Sequence, residues 1–403
     1  MRAQRQNIQL ELPFTWDSPG ESGGAQGEGT EVRTAQFESE LPARLRGPSM
    51  EAVVEPCNLL RALERVQRNK GAPGMDGMIV KELGEYLQRH WSKVTIQLLE
   101  GTYTPQAVRK VEIPKASGGT RMLGVPTVLD RCIQQALMQV LQEAWDPTFS
   151  ESSYGFRPGR SAHQAVGQAQ EYVAQGHRVV VDMGLEKFFD TVNHDILMGL
   201  VAKQVTDKRI LRLIRGFLAA GILEGGLVSQ RVKGTPQGGP LSPLLSNLIL
   251  DVLDKELERR GHRFVRYADD ANIYVRSRRA GERVMASVTR FLTRRLKLKV
   301  NTAKSAVGDV GERSFLGFSF TRGEVPRRRI APKALDRLRK RVRELTRRTR
   351  GVRFRQLITE LSRYLQGWRA YYGYCETPSV LRSMDGWIRR RLRAYLWHQW
   401  KHR

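Results

Sequence analysis

Two adjacent carboxylates, Asp269 and Asp270, are the residues of this 403-residue chain whose type and spacing most directly suggest chemistry. They stand between two runs rich in aromatic and β-branched residues, Phe264–Tyr267 and Ala271–Val275. This pattern predicts a β-hairpin with the carboxylates at or near its tip. Because adjacent carboxylates repel each other, the pair indicates either a bound cation or a solvated turn, and this stretch alone leaves both open.

The composition of the chain predicts a polyanionic partner. It carries 68 Lys and Arg against 41 Asp and Glu, a formal net charge of +27. Such a charge favours RNA, DNA or an anionic membrane without choosing among them, and it predicts binding that weakens as salt is added. With 40% hydrophobic residues, the chain has material for about two or three domains with cores of their own.

Cysteine use and hydropathy point to a reducing, intracellular location. The three cysteines, Cys57, Cys132 and Cys375, are odd in number and far apart, which predicts neither a disulfide framework nor a disulfide-linked partner. No apolar run approaches the roughly 18 residues of a membrane span, and the N-terminus lacks the apolar core of a signal peptide. We therefore expect a cytoplasmic protein with no membrane partner.

The first 130 residues contain a leader, a helix and a hairpin. Residues 1–50 are rich in Gly, Ser and Glu, which predicts a flexible polar leader. Alternation over residues 108–126 predicts a β-hairpin with Lys115 and Arg121 on either side of its tip. The two cations could grip a triphosphate, or they could form a solvated hairpin end. Helical periodicity begins at Asn58 and places one apolar face at Leu59, Leu60, Leu63 and Val66.

Three later stretches place polar side chains where a site could use them. Ser153–Arg160 interleaves aromatic residues with Arg157 and Arg160, a combination able to stack on bases and pair with phosphates. The β-branched run that begins at Val179 could deliver the Asp182 carboxylate to the edge of a sheet, although Asp is also a frequent capping residue. The glycine-rich loop after Lys233 could bring its backbone and Gln237 close to a ligand.

The order of these segments resembles the reverse transcriptases encoded by group II introns. The resemblance runs from about Leu59 to Arg403 and rests on the Thr-Pro-Gln-Gly-Gly-Pro-Leu-Ser-Pro loop, Tyr-Ala-Asp-Asp and Phe-Leu-Gly-Phe in that order. It implies an α+β fold: a right-hand polymerase with fingers and palm over residues 51–322, the palm built on an antiparallel sheet. An all-α thumb or maturase (X) domain would follow over residues 323–403.

The same resemblance implies an RNA-directed DNA polymerase that also binds its intron RNA and assists splicing and retrohoming. Its implied partners are intron RNA, an RNA template with a DNA primer, target DNA and deoxynucleoside triphosphates. Two Mg²⁺ ions about 3.5 to 4 Å apart would activate the primer hydroxyl and stabilise the leaving pyrophosphate. Asp269 and Asp270 are the implied catalytic metal ligands; the implied nucleotide contacts are Lys115, Arg121, Phe189 as the gate against a 2′-hydroxyl, Gln237 and Lys304.

One position departs from the family pattern. The first metal-binding Asp is expected five residues before the gate aromatic, and counting back from Phe189 leads to Gly184. Asp182 lies two residues earlier on the same strand face, about 6.6 Å away, so it could replace the missing ligand only across a bulge or bend. The sequence therefore predicts a weakened or inactive polymerase unless Asp182 substitutes.

The C-terminal segment is basic, helical and aromatic. Residues 322–403 hold 24 Lys and Arg against 6 Asp and Glu. Three amphipathic helices are predicted, the last one with Thr377 as N-cap and Pro378 at its first position. Interleaved aromatic and basic residues favour nucleic-acid binding here, which we assign to Arg341, Trp368, Arg369, Trp387 and Arg390. The same segment also contains Tyr371, Tyr372, Tyr374, Trp397 and Trp400.

Two alternatives remain beside the polymerase. One is an RNA-binding splicing maturase whose polymerase site is impaired by Gly184. The other is a template-dependent polymerase used in repair or defence, outside any intron.

Overall fold

A computed structural model describes residues 47–114, 120–224, 227–229, 233–235 and 238–401. Nearly all of the predicted leader lies outside this part of the chain, and so do Lys115 and Gln237. Contacts between backbone positions divide the chain into two units. The described residues of the first unit fall within 1–145, 198–232 and 236–241, and those of the second fall within 146–197, 233–235 and 242–403. The predicted boundary at residues 322 and 323 thus falls inside the second unit.

The first unit is helical with one four-stranded sheet. Its strands are β1 (Val108–Pro114), β2 (Thr120–Val125), β4 (Ile222–Glu224) and β5 (Leu227–Ser229), in the order β2-β1-β4-β5. The predicted hairpin is confirmed, because β1 and β2 pair antiparallel from Arg109 with Val125 to Pro114 with Thr120. The helices of this unit are α1 (Met50–Val54), α2 (Pro56–Asn69), α3 (Leu83–Glu100), α4 (Val128–Trp145) and α8 (Lys208–Ala219).

Two local predictions for this unit need correction. Met50, the last residue of the predicted leader, is fully buried at the start of α1 and so is not part of a flexible segment. Helix α2 buries Leu59, Leu63 and Val66 as expected, but Leu60 is 37% exposed. Position 60 lies about 100° around the helix from position 59, so the two leucines cannot share the centre of one face.

The second unit contains a four-stranded antiparallel sheet. Its strands are β3 (Val179–Gly184), β6 (Arg263–Tyr267), β7 (Asp270–Val275) and β8 (Ala306–Asp309), in the order β6-β7-β3-β8. Helices α5 (Ala162–Ala174), α9 (Ser242–Arg259) and α10 (Arg278–Phe291) pack against it, with the short helices α6 (Phe188–Thr191) and α7 (His194–Val201) following β3. Helix α10 approaches the sheet closely at Gly281, where a side chain would collide with Val307.

The C-terminal part of this unit is a two-stranded hairpin followed by three helices. The elements are β9 (Phe318–Phe320), β10 (Arg328–Ile330), α11 (Pro332–Leu345), α12 (Phe354–Tyr372) and α13 (Pro378–Lys401). All three predicted helices are confirmed. They share a core that contains Leu338, Val342, Leu345, Leu361, Met384 and Ile388.

Thr377 does not cap the last helix through its side chain. Its hydroxyl is buried and has no hydrogen-bond partner among the described residues, although helix α13 begins at Pro378 as predicted. In the described part of the chain, no helix is long and apolar enough to span a bilayer.

Candidate active site

The predicted acidic hairpin is confirmed. Strands β6 and β7 pair antiparallel, with Tyr267 opposite Asp270, and they are joined by a two-residue turn of Ala268 and Asp269. Ala268 has φ +56°, in the left-handed region that a tight hairpin turn of this length requires. Asp269 therefore lies in the turn, and Asp270 is the first residue of the strand.

The electrostatic surroundings of Asp270 link it to three other charged residues. Desolvation of the Asp270 carboxyl by the surrounding protein, together with the negative charges of Asp269 and Asp182, raises its pKa to about 6. The ammonium group of Lys304 acts in the opposite direction. The charges of four sequence-predicted site residues therefore influence one another.

Gly184 occupies the position directly opposite Asp270 in the sheet. Residues directly opposite in an antiparallel pair project their side chains to the same face, so a side chain at position 184 would stand beside Asp270. There is room for it, because the nearest atom to a Cβ at Gly184 would be the Cβ of Lys304 at 3.9 Å. The backbone is held from the other side, since Gly184 N donates to Ser305 Oγ at 3.0 Å and its carbonyl accepts from Asn301 N at 2.8 Å.

Asp182 does not take the place of the missing carboxylate. The register between β3 and β7 is uninterrupted from Val179 to Gly184, so the bulge that this substitution needs is not present. Asp182 lies opposite Asn272, whose amide nitrogen, with the amide oriented to satisfy both of its ends, donates to Asp182 Oδ1 at 3.3 Å. The other carboxylate oxygen of Asp182, Oδ2, lies 3.9 Å from Nη1 of Arg313. Burial is the main cause of its raised pKa.

The carboxylates present do not fit a two-ion Mg²⁺ site. Mg²⁺ needs near-octahedral coordination by oxygens, and two ions held together need several convergent carboxylates. Among the described residues, no three His, Cys, Asp or Glu side chains come together in a way that could hold a metal ion. Two of the carboxylates, Asp269 and Asp270, are consecutive in the chain. The positive charge that acts on Asp270 is that of the Lys304 side chain.

A buried ion pair that sequence analysis missed holds the acidic turn in place. Arg266 in β6 and Asp254 in α9 have side chains that are 1% and 0% exposed, and Arg266 Nη2 lies 2.6 Å from Asp254 Oδ2. Burial raises the pKa of Asp254, and the charge and hydrogen bonds of Arg266 lower it. Arg266 Nη1 also donates to the carbonyl of Ala268 at 3.0 Å, so the pair reaches the turn itself.

The remaining N–H groups of the Arg266 guanidinium also have hydrogen-bond partners. Arg266 donates to Asn247 Oδ1 at 3.0 Å and to Ser153 Oγ at 2.7 Å. The only sequence signal was an arginine inside an apolar strand, at a position where charge is costly unless it is paired.

Gly155 forms a second support for the turn. A Cβ atom at Gly155 would press into the backbone of Tyr267 and Ala268, so only glycine allows this approach. The carbonyl of Gly155 accepts a hydrogen bond from Asn247 Nδ2 at 2.9 Å. The next residue, Phe156, is 50% exposed and has φ +59°.

Of the two arginines predicted to contact nucleic acid here, Arg157 is buried, which contradicts the prediction, and Arg160 takes part in an ion pair. Arg157 is 8% exposed and donates to the Asp146 carboxylate at 2.8 Å and to the carbonyl of Ser150 at 2.6 Å, so its role is structural. Arg160 is only partly exposed, pairs with Glu151 and lies over the ring of Tyr154. Sequence cannot distinguish a buried, fully bonded arginine from an exposed one.

The predicted gate residue Phe189 lies in α6, half-buried against Phe188. The described part of the glycine-rich loop is fixed to this segment. Thr235 N donates to the carbonyl of Phe189 at 2.6 Å, and Gly234 N donates to that of Val192 at 2.8 Å. The roles predicted for Lys115 and Gln237 concern residues outside the described part of the chain, and of Arg121 only the backbone, in β2, is described.

The C-terminal helices form a basic cavity of about 530 Å³. Trp387 and Arg390 both line it, as does Arg391. The guanidinium groups of Arg343 and Arg391 each lie 5.8 Å from the Trp387 ring. These residues combine an aromatic surface with positive charge, the arrangement that stacks on bases and neutralises phosphates.

The other predicted nucleic-acid contacts of this segment differ in their surroundings. Arg369 is exposed, whereas Arg341 pairs with Glu344 at 3.0 Å. Trp368 is half-buried, packs on the core of the three helices and lies 4.8 Å from the Tyr372 ring, and its contact with nucleic acid stays a prediction. Trp397 and Trp400 are 66% and 68% exposed.

The tyrosines beside Trp368 also serve packing. Tyr371, Tyr372 and Tyr374 surround Phe318, which is fully buried between the helices and the rest of the unit. Tyr371 donates its hydroxyl to the carbonyl of Leu316 at 2.8 Å. Some of the aromatic residues in this segment therefore pack around Phe318, and their spacing in the sequence reflects this packing.

An antiparallel sheet with an acidic hairpin, followed by a basic helical segment, defines a reverse-transcriptase palm with a helical C-terminal region. Comparison with known families agrees. Residues 113–320 match the family described as reverse transcriptase (RNA-dependent DNA polymerase), and residues 335–403 match the group II intron, maturase-specific domain. The chain belongs to the group II intron reverse transcriptase/maturase family.

Individual relatives are similar over about half of the chain. Protein YkfC of Escherichia coli (strain K12) is 36% identical over 217 residues, which cover 52% of this chain and 57% of YkfC. The group II intron-encoded protein LtrA of Lactococcus lactis subsp. cremoris is 37% identical over 195 residues, which cover 48% of this chain and 32% of LtrA. A solved partial Cas6-RT-Cas1–Cas2 complex has 26% identity and a TM-score of 0.38, covering 61% of this chain and 42% of that one.

We predict that Asp254→Asn destabilises the second unit by about 3 to 5 kcal/mol, because it leaves the buried Arg266 charge uncompensated. The control is Glu282→Gln, which removes an exposed pair with Arg278 and should cost no more than about 0.5 kcal/mol. Urea denaturation of both variants measures the difference. Equal stability of the two variants would contradict a structural role for the pair.

We predict that Gly155→Ala lowers the free energy of unfolding by about 1 to 3 kcal/mol, because its methyl group overpacks the backbone of Ala268. Gly367→Ala is the matched control: no atom lies within 4 Å of its Cβ position in α12, so Ala should stabilise this helix by about 0.5 to 1 kcal/mol. Denaturant midpoints that shift in opposite directions support the contact. A shift in the same direction would argue against it.

Proposed function

We propose that this chain is an RNA-binding maturase that assists the splicing of a group II intron and carries a polymerase palm weakened by Gly184. The observation that carries the proposal is the pairing of Gly184 with Asp270 in the sheet, at a position with room for a side chain. The palm scaffold is intact around a missing carboxylate. The proposal includes a cytoplasmic location with the intron RNA.

Charge and surface chemistry support RNA binding. The C-terminal cavity is lined by Arg390 and Arg391 beside Trp387, and lining residues at this site include no Asp or Glu. Arginine pairs with phosphate oxygens through two parallel hydrogen bonds, and an indole ring can stack on a base. Neither interaction needs the carboxylates of the palm, so RNA binding can persist where polymerisation is weak.

Several features of a polymerase are retained and define what the chain would need for DNA synthesis. The family uses divalent metal ions, and Asp269 and Asp270 would contribute two of the ligands. The two Mg²⁺ ions that the family resemblance implies would require a third carboxylate, and Gly184 has no side chain to supply it. Because the palm belongs to this family, we include a template-primer and deoxynucleoside triphosphates among its proposed ligands. Target DNA is proposed as a further partner.

The decisive comparison is between Gly184→Asp and Gly184→Asn. The aspartate supplies a metal-binding charge beside Asp270, while the asparagine has the same size without the charge. We predict that Gly184→Asp raises Mg²⁺-dependent primer extension on an RNA template by about 100-fold or more, since a metal ligand supplies several kcal/mol of transition-state stabilisation. Gly184→Asn should extend primers no better than the natural chain.

The same preparations are assayed for splicing of a group II intron transcript. We expect the natural chain and both variants to assist splicing equally, because position 184 is not part of the RNA-binding surface. Asp269→Ala in the Gly184→Asp background serves as the inactive control for extension. Efficient extension by the natural chain, or a failure to promote splicing, would refute the proposal.

We also predict that Arg390→Gln weakens binding of the intron transcript and lowers the slope of log Kd against log salt by about 0.7 to 0.9, the loss of one phosphate contact. The control is the adjacent Arg389→Gln, because Arg389 pairs with Asp385 at 2.9 Å and does not line the cavity. Filter binding at several salt concentrations measures both. Identical slopes for the two variants would exclude Arg390 as a contact.

A further inference from the structure

A second basic cavity lies in the sheet-containing part of the second unit, at the end of the sheet remote from the acidic turn. It measures about 520 Å³ and lies where β6 begins and β7 ends, against α10. Its charged and titratable lining consists of the basic or imidazole side chains of His177, Arg260, His262, Arg263, Arg276 and Arg283, together with the phenol of Tyr274. None of its lining residues is acidic.

Three of the four arginines are available to a ligand. Arg263, Arg276 and Arg283 are exposed, and no acidic side chain in the described part of the chain pairs with them. Arg260 differs, because it is held by Glu256 and donates to Ser287 Oγ at 2.9 Å. Arg260 is therefore held in place as part of the cavity lining. The guanidinium groups of the other three arginines remain available to pair with an anion.

The electrostatics of the cavity agree with an anion-binding role. Burial and the positive charge of Arg260 both lower the pKa of His262. Like charges that crowd together without a counter-charge cost free energy, and a bound phosphate group would remove that cost. Arginine is the side chain best suited to this, since its planar guanidinium matches phosphate oxygens in a bidentate geometry.

The cavity is separate from the acidic turn. Strand β7 runs from Asp270 at the turn to Val275 at the cavity, and five steps of about 3.3 Å give a separation of roughly 16 Å along the strand. A phosphate bound here therefore cannot be the one that undergoes reaction beside Asp269.

We propose that this cavity binds the phosphodiester backbone of an RNA segment other than the template-primer. The inference rests on the proposed RNA-binding function. It adds a second contact site to the cavity in the C-terminal helices, at the end of the sheet that is remote from the acidic turn. The three free arginines come from different places in the chain: the start of β6, the residue after β7, and α10. They surround the cavity, so they can contact successive phosphates of a strand that crosses its mouth.

The test is a triple variant, Arg263→Gln with Arg276→Gln and Arg283→Gln, compared with a control of equal net charge. The control replaces Arg279, Arg290 and Arg294 by Gln; these are exposed arginines in α10 and just after it that do not line the cavity. Thermal melting first checks that both variants are folded. Binding of a group II intron transcript is then measured at several salt concentrations.

Three lost phosphate contacts should lower the slope of log Kd against log salt by about 2 to 3 in the cavity variant. The control variant should change the slope by less than half of that amount. Equal slopes in the two variants, with tight binding retained by the natural chain, would overturn the cavity site and leave the proposed function intact. If the natural chain did not bind the transcript at all, both proposals would fail.

A free nucleotide is the other source of a phosphate group that a cavity of this size could hold. ATP is therefore titrated by calorimetry at matched ionic strength. We expect equal ATP binding by the natural chain and the cavity variant. Loss of ATP binding in the cavity variant with an unchanged RNA slope would overturn the assignment to RNA and identify a mononucleotide site instead.

Discussion

The geometry of the acidic turn depends on the buried ion pair between Arg266 and Asp254. An unpaired charge in such a place would be strongly unfavourable, so the two residues must stay together in the folded protein. Their network connects helix α9, strand β6 and the segment at Ser153, and it ends on the carbonyl of Ala268. Because that carbonyl belongs to the turn, the position of Asp269 is determined by a rigid core element and not by a loop.

This rigidity explains why Gly184 matters so much. A site with a mobile hairpin could bring Asp182 into use by shifting a strand, but here the pairing of β3 with β7 is continuous and the turn is anchored. The missing carboxylate therefore cannot be compensated by a small local change. In the proposed function, the palm keeps its architecture with reduced metal-binding chemistry, while the basic surfaces of the same chain serve RNA binding.

The sequence predicted the features that depend on local pattern. Both hairpins and the C-terminal helices follow from alternation and helical periodicity, and the acidic turn was found in this way. The antiparallel palm sheet was implied by the family resemblance. The sequence did not reveal which polar and aromatic side chains are buried. Arg157 has the residue type of a nucleic-acid contact, yet tertiary packing encloses it. The Arg266 network escaped notice because its side-chain partners lie 12 to 113 residues away in the sequence.

The central claim is that the palm of this chain lacks the ligands for two metal ions. It is tested most directly by counting Mn²⁺ ions bound in the presence of an RNA template, a DNA primer and an unreactive nucleotide analogue, using electron paramagnetic resonance. We predict that the natural chain binds fewer Mn²⁺ ions in this complex than Gly184→Asp, and that Gly184→Asn matches the natural chain. The same number of tightly bound ions in the natural chain and in Gly184→Asp would contradict the account.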